Sequence, residues 1–140
     1  MDPKRDKQMT PDLFYLTLVT AFTGLFWIPY ILDRIAVGGV TDAVGYPEHP
    51  KPQSPWARRL MKAHANAIEN LVIFASLVLI AHAAGVTSSI VTDACIVYLW
   101  ARIVHAIAYT LAFPWIRTLA FTVGFLAQAT VAWQILAVPM

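Results

Sequence analysis

The chain has 140 residues, of which 59% are hydrophobic and 13% are charged, and its mean hydropathy is +0.62. Soluble domains are about 45–50% apolar and about 25% charged, so this composition excludes a water-soluble enzyme, a disordered protein and a disulfide scaffold. Ten lysine and arginine residues against eight aspartate and glutamate residues give no nucleic-acid-binding footprint, so no nucleic-acid partner is expected.

Four apolar stretches are long enough to cross a membrane, because about 20 apolar residues span a hydrocarbon core. The uncharged runs are Leu13–Leu32, Leu71–Thr92 and Thr118–Met140. A fourth run, residues 94–116, is interrupted by Arg102 and His105 alone. A basic N-terminus precedes the first run, so a cleavable signal peptide is one alternative. The run continues to Leu32, however, and this length favours a retained helix.

The predicted fold is all-α, an integral membrane four-helix bundle in a single domain covering residues 1–140. Its helices are predicted over residues 12–35, 55–84, 88–113 and 115–137. Pro29 predicts a kink in the first helix, and Pro114 ends the third. Ser54 and Pro55 suit the N-cap and first position of the second helix. Between the first and second helices, Val37–Ser54 is predicted to be a loop that covers or frames a site.

Basic residues in the flanks of the spans predict the orientation. Six lie on the side of the first and third connections, and they are Arg34, Lys51, Arg58, Arg59, Lys62 and Arg117. Three lie on the other side, and they are Lys4, Arg5 and Lys7. The excess favours a multi-pass protein of the cell (inner) membrane with both termini outside the cytoplasm.

Two spans carry polar residues where lipid hydrocarbon is expected, and such residues usually face a bundle interior or a wet cavity. The third helix has one narrow stripe, formed by Tyr98, Arg102, His105 and Tyr109. In the second helix, Lys62, Asn66 and Glu69 share one face, whereas His64 lies on the opposite side and is interpreted as a helix-contact residue. Depths counted from Pro55 and Pro114 predict a buried ion pair between Glu69 and Arg102.

This polar set leaves two interpretations open. In the first, the Glu69–Arg102 pair has only a structural role and fixes the register between the second and third helices. In the second, which the whole set with Asn66, His105 and Tyr109 favours, these residues form a binding cavity. No metal site is predicted, because there is no His-Glu-x-x-His motif and Cys95, interpreted as a small buried hydrophobic residue, has no partner ligand. Neither a Ser-His-Asp arrangement nor a phosphate-binding glycine loop is present.

The polar segments resemble those of a known family. Residues 59–74, RLMKAHANAIENLVIF, resemble the second-helix signature of the MAPEG family, the membrane-associated proteins in eicosanoid and glutathione metabolism. Residues 101–109, ARIVHAIAY, are similar to its third-helix signature. Arg117 and Thr118 resemble the arginine-serine pair that opens the fourth helix, and the chain is like a microsomal glutathione transferase of the bacterial type.

The resemblance implies a homotrimer that binds glutathione as co-substrate between neighbouring subunits and needs no metal. A lipophilic small-molecule substrate would arrive from the surrounding membrane lipids. The implied glutathione ligands are Arg34, Asn66, Glu69, His105, Tyr109 and Arg117. Arg117 and Thr118 are the implied catalytic residues, because an arginine lowers the pKa of a nearby thiol and a hydroxyl can donate to the sulfur.

Two functions from different classes follow. The first is a membrane-bound glutathione transferase or glutathione-dependent peroxidase that conjugates or reduces lipophilic electrophiles. The alternative is a non-catalytic, lipid-binding or accessory subunit of a larger membrane complex, which the five tryptophan and seven phenylalanine residues would suit. Four spans without an inverted repeat make a transporter a distant third.

Overall fold

A computed structural model describes residues 9–139, and all regular secondary structure in that range is helical. The helices are α1 (Pro11–Gly24), α2 (Trp27–Val44), α3 (Pro55–Ala83), α4 (Ser89–Thr110) and α5 (Pro114–Leu136). Because α1 and α2 form one span, four helical segments have the length and hydropathy to cross a membrane. The predicted all-α membrane fold is confirmed. Lys4, Arg5 and Lys7, used in the orientation count, lie outside the described residues.

The first span bends where Pro29 predicts a kink. A proline ring clashes with the carbonyl group four residues earlier, which here belongs to Leu25. Leu25 and Phe26 lie between α1 and α2, and the Leu25 carbonyl accepts a hydrogen bond from Ile28 N at 3.2 Å instead. Each of these backbone hydrogen bonds across the break joins residues three apart, so the helix tightens into a 3₁₀-type turn there.

The predicted loop over Val37–Ser54 is wrong in its first half, because α2 continues to Val44. Gly39 has a φ of 85°, a left-handed conformation that glycine adopts without a steric cost. The chain therefore turns at Gly39 and re-enters helix, which ends where Gly45 N donates to the Thr41 carbonyl at 2.8 Å.

The remaining connection is tied to α2 just before α3 begins. Asp33, a buried residue of α2, accepts a hydrogen bond from Ser54 N at 3.0 Å. Gln53 Nε2 donates to the carbonyl of Tyr30 at 2.7 Å, and the hydroxyl of Tyr30 lies 3.0 Å from His64 Nδ1. α3 begins at Pro55 as predicted, but the Ser54 side chain forms no capping bond. Through this contact with Tyr30, His64 joins α3 to α2, as the predicted helix-contact role requires.

The helices pack through small residues on α3. Its buried face includes Ala57, Ala63, Ala67 and Ala81, and it continues through Phe74, Val78 and Leu60. Small side chains allow helix backbones in a membrane to approach closely. α4 lies at the centre of the protomer in contact with α1, α3 and α5, and the ring of its Tyr98 stacks on Phe74 at 3.7 Å.

A tight turn joins α4 to α5. α4 ends at Thr110, three residues before the predicted end, because Ala112 takes a left-handed conformation with a φ of 64°. Phe113 N then donates to the Ala108 carbonyl at 2.8 Å, which closes the helix end. The turn makes α4 and α5 antiparallel neighbours.

Candidate functional site

The polar stripe of α4 faces the interior of the protomer. Tyr98 is 1% exposed, and Arg102 and His105 are each 3% exposed. Tyr109, one turn further along, is half-buried. Burial of a guanidinium group in a membrane-spanning bundle is costly, so its polar partners are informative.

Arg102 meets an amide in this structure. Its Nη2 donates to Asn66 Oδ1 at 2.8 Å, and Asn70 Nδ2 donates to the Asn66 carbonyl at 2.9 Å. Gln128 Nε2 of α5 lies 3.4 Å from both the carbonyl and Oδ1 of Asn70. We call these four residues, Asn66, Asn70, Arg102 and Gln128, the polar core, which connects α3, α4 and α5.

The predicted Glu69–Arg102 ion pair is absent from the protomer. Both residues lie in the described range, but no ion pair joins them, and Glu69 is exposed. At 100° per residue, Glu69 lies about 150° around α3 from the middle of its alanine-rich buried face. The prediction assumed that the charged face of α3 points inward, whereas the small-residue face does so. Asn66 lies at the edge of the buried face and reaches Arg102 instead.

Three deeply buried polar atoms of α4 have no hydrogen-bond partner among the described residues. They are Tyr98 Oη, Arg102 Nε and His105 Nδ1. Most buried polar groups in proteins are paired, and clusters of exceptions suggest a functional requirement or a missing ligand. The described residues therefore leave the hydrogen bonding of this stripe incomplete.

Two arginines converge on a crevice at the end of α4. The crevice has a volume of about 180 Å³ and is lined by Arg59, Ala108, Tyr109, Ala112, Phe113, Pro114 and Arg117. Arg59 Nε donates to the carbonyl of Thr110 at 2.7 Å, where the negative end of the helix dipole lies. The guanidinium carbon of Arg117 lies 4.9 Å from the centre of the Tyr109 ring, a cation–π contact. We call this site the arginine crevice.

His105 lies between the polar core and the arginine crevice. Its ring meets the Tyr109 ring edge-on, with 5.6 Å between the centroids, and it is one turn along α4 from Arg102. The structure thus brings His105, Tyr109 and Arg117 together, and it places Asn66 one turn deeper beside Arg102.

The other predicted site residues lie elsewhere in the protomer. Arg34 is half-buried on α2 and lines a small depression with Asp42 and Lys51. Glu69 points away from the bundle. Thr118 is exposed, and its hydroxyl donates to the Pro114 carbonyl at 2.9 Å rather than pointing free into the crevice.

Sequence reasoning missed two members of this site. Arg59 was treated only as a surface charge, although it lies three residues before Lys62 on the side of α3 that meets α4. Gln128 was not considered, although an amide within an apolar spanning run is itself a signal of an interior polar contact. Within residues 9–139, no group of three His, Cys, Asp or Glu side chains could hold a metal ion.

Comparison with known proteins places this geometry in a family. No curated protein matches the chain. The model of the MAPEG family matches residues 14–137, a range that contains all four apolar spans, the polar core and the arginine crevice. The chain therefore belongs to the MAPEG family, a family of integral, multi-pass membrane proteins associated with glutathione and eicosanoid metabolism.

Proposed function

We propose that the protein is a membrane-bound glutathione transferase or glutathione-dependent peroxidase acting on lipophilic electrophiles. The observation that carries this proposal is the arginine crevice, where Arg59 and Arg117 meet beside Tyr109. Glutathione has two carboxylates, and guanidinium groups bind carboxylates through paired, charge-assisted hydrogen bonds. The crevice lies at the end of two membrane spans, where a water-soluble thiol and a lipid-dissolved substrate can meet.

Arg117 has the central chemical role in this proposal. A guanidinium group beside the glutathione sulfur favours the thiolate over the thiol, and the thiolate is the nucleophile. The sulfur attacks an electrophilic carbon and the leaving group departs with its electron pair. In the peroxidase reaction, the sulfur attacks a peroxide oxygen, the O–O bond breaks and the alkoxide leaves as an alcohol after protonation. A second glutathione then converts the sulfenic acid to glutathione disulfide and water. Thr118 donates to the sulfur after its hydroxyl rotates away from the Pro114 carbonyl.

A single protomer supplies only part of the glutathione site. Small-molecule sites usually have volumes of about 300–1,000 Å³, and the crevice has about 180 Å³. We propose a homotrimer in which a neighbouring copy completes the site. Asn66, His105 and Tyr109 line it from one copy, while Arg34 and Glu69 are brought to it at the subunit boundary. Glu69 is suited to the ammonium group of glutathione.

The proposal is tested by adding glutathione to the detergent-solubilised protein and recording the thiolate absorbance band. We expect the band in the wild type and its loss in Arg117→Gln, together with a fall in turnover of a generic electrophile of about a hundredfold. Arg58→Gln is the matched control for Arg117→Gln. Arg58 is an exposed arginine in the first turn of α3, at the same end of the bundle as Arg117. A wild type without the band and without turnover would leave the non-catalytic accessory role as the better account.

The same proposal places the protein in the cell (inner) membrane with both termini outside the cytoplasm. The support is the excess of basic residues at the end of the bundle that holds Arg59 and Arg117. A reporter enzyme that is active only outside the cytoplasm, fused after residue 140, is expected to be active. Activity of a cytoplasmic reporter at this position would reverse the orientation.

A further inference from the structure

An apolar groove opens beside the break in the first span, next to the arginine crevice but with different lining residues. Its volume is about 480 Å³, and it is lined by Phe22, Leu25, Phe26, Pro29, Leu60, Ala106, Ile107, Thr110 and Leu111. We call it the kink groove. The one hydroxyl in its wall, on Thr110, already donates to the Ala106 carbonyl at 2.8 Å. The groove therefore offers no free side-chain donor and suits hydrocarbon.

The groove lies in the outer part of one leaflet. Leu60 is five residues inside the start of α3, about 7.5 Å, and Thr110 is four residues before Pro114, about 6 Å. Residues on both sides of the break in the first span line the groove, together with Leu60 of α3 and the last turns of α4. A bilayer lipid presents the first part of its acyl chains at this level.

A cation lies next to the groove: Arg59 lines the arginine crevice, but it contacts Thr110, which lines the groove. The Arg59 guanidinium is held by Nε on the carbonyl of Thr110, a wall residue, and its two terminal amino groups have no hydrogen-bond partner among the described residues. Trp56 lies one turn before Leu60 and is 37% exposed, as is usual for tryptophan at a membrane interface. A hydrocarbon slot with a guanidinium group beside it complements an amphiphile with an anionic head.

We propose that the kink groove binds one anionic phospholipid, with an acyl chain against Leu60 and Ile107 and its phosphate on Arg59. This inference goes beyond the glutathione chemistry, although both proposals use Arg59. A helix of a second copy would be the competing occupant, and we favour the lipid because an anionic head complements the charge of Arg59 beside the groove.

The test uses phosphatidylglycerol with a photoactivatable group on its acyl chain, mixed into vesicles that hold the full-length protein. After illumination, the attached residues are mapped by mass spectrometry. We expect attachment to concentrate on the kink groove rather than on a second apolar groove of about 410 Å³ between α4 and α5, which includes Trp100, Val104 and Leu119. The second groove is a control of similar size and chemistry within the same molecule.

Three variants separate the head from the tail. Arg59→Gln should lower attachment at the kink groove about fivefold, and should abolish any preference over phosphatidylcholine. Leu111→Trp, at an exposed wall position, should block the groove with either lipid. Leu119→Trp fills the control groove and should leave attachment at the kink groove unchanged.

Equal attachment at both grooves, or equal attachment of the two lipids to the wild type, would overturn the proposal. Absence of any lipid from the kink groove in the assembled protein would assign the groove to a second copy instead, and it would also overturn the proposal. Arg59 lines the arginine crevice as well, so the readout is lipid attachment rather than turnover. Loss of the thiolate band with retained lipid attachment would refute the glutathione proposal alone.

Discussion

At the residue scale, α3 and α4 end in the same way with different residues. After α3, Gly85 takes a φ of 68°, and Val86 N donates to the Ala81 carbonyl at 2.9 Å. After α4, Ala112 takes a φ of 64° in the equivalent position. Glycine has no Cβ and enters this conformation readily, whereas an L-residue with a side chain pays about 1–2 kcal/mol. The strained alanine borders the arginine crevice.

Exchanging the two residue types should change stability in opposite directions. We expect Ala112→Gly to raise the free energy of unfolding by about 1 kcal/mol, because the left-handed strain is relieved. Gly85→Ala should lower it by about the same amount, since its Cβ would meet no atom within 4 Å and the cost is conformational alone. Thermal unfolding in one detergent measures both. A destabilised Ala112→Gly protein would show that the alanine has a packing role at the crevice.

At the scale of the elements, the sequence predicts the spans better than it predicts which way they face. Uncharged runs locate the four spans, and Pro29 locates the break in the first one, because apolar length and a missing N–H group act locally. Pro114 locates the end of α4 only to within three residues, because the turn at Ala112 ends the helix earlier. The inward face of α3 is different. The charged residues of α3 predicted that Glu69 faces α4. The alanines face the other helices instead, because their small side chains allow the helix backbones to approach more closely.

The α4 stripe was predicted correctly because its polar residues share one face with little competition. Only apolar residues separate Arg102 from His105, so one orientation of α4 about its axis buries both side chains. The arginine crevice was harder to predict. It depends on a turn at Ala112 and on the carbonyl of Thr110, and neither feature has a periodic signal in the sequence.

Asp33 is the residue through which α2 holds the start of α3. Asp33→Ala should lower the free energy of unfolding by about 2 kcal/mol, because the Ser54 N–H loses a charged acceptor. Asp33→Asn keeps an acceptor oxygen and should recover most of the loss. Thermal unfolding of the two variants in the same detergent measures the difference. Equal melting temperatures for wild type and Asp33→Ala would show that this hydrogen bond adds nothing to stability.

At the scale of the whole molecule, the outward face of α3 carries charged residues. Lys62 and Glu69 are exposed on one side of this span, and a charged side chain facing lipid hydrocarbon costs about 3 kcal/mol. Assembly of the proposed trimer through α3 would remove this cost.

Glu69→Ala should therefore weaken assembly, with a loss of about 3 kcal/mol in the free energy of association. Native mass spectrometry across a dilution series measures the shift from oligomer to monomer. Ser76→Ala is the matched control, because Ser76 is exposed on the same outward face and is uncharged. A Glu69→Ala protein with the oligomeric state and melting temperature of the wild type would contradict an interfacial role for this carboxylate.

The two hydrogen bonds that fasten Gln53 and Ser54 to α2 have a practical consequence for labelling the protein. They isolate the start of α3 from residues 46–52, which are exposed except for Pro47. An epitope or fluorophore inserted in this short stretch would not pull on the spans, because the strain would stop at the anchored pair. Residues 46–52 are therefore a suitable site for attaching an imaging label, at the end of the bundle that holds Arg59 and Arg117.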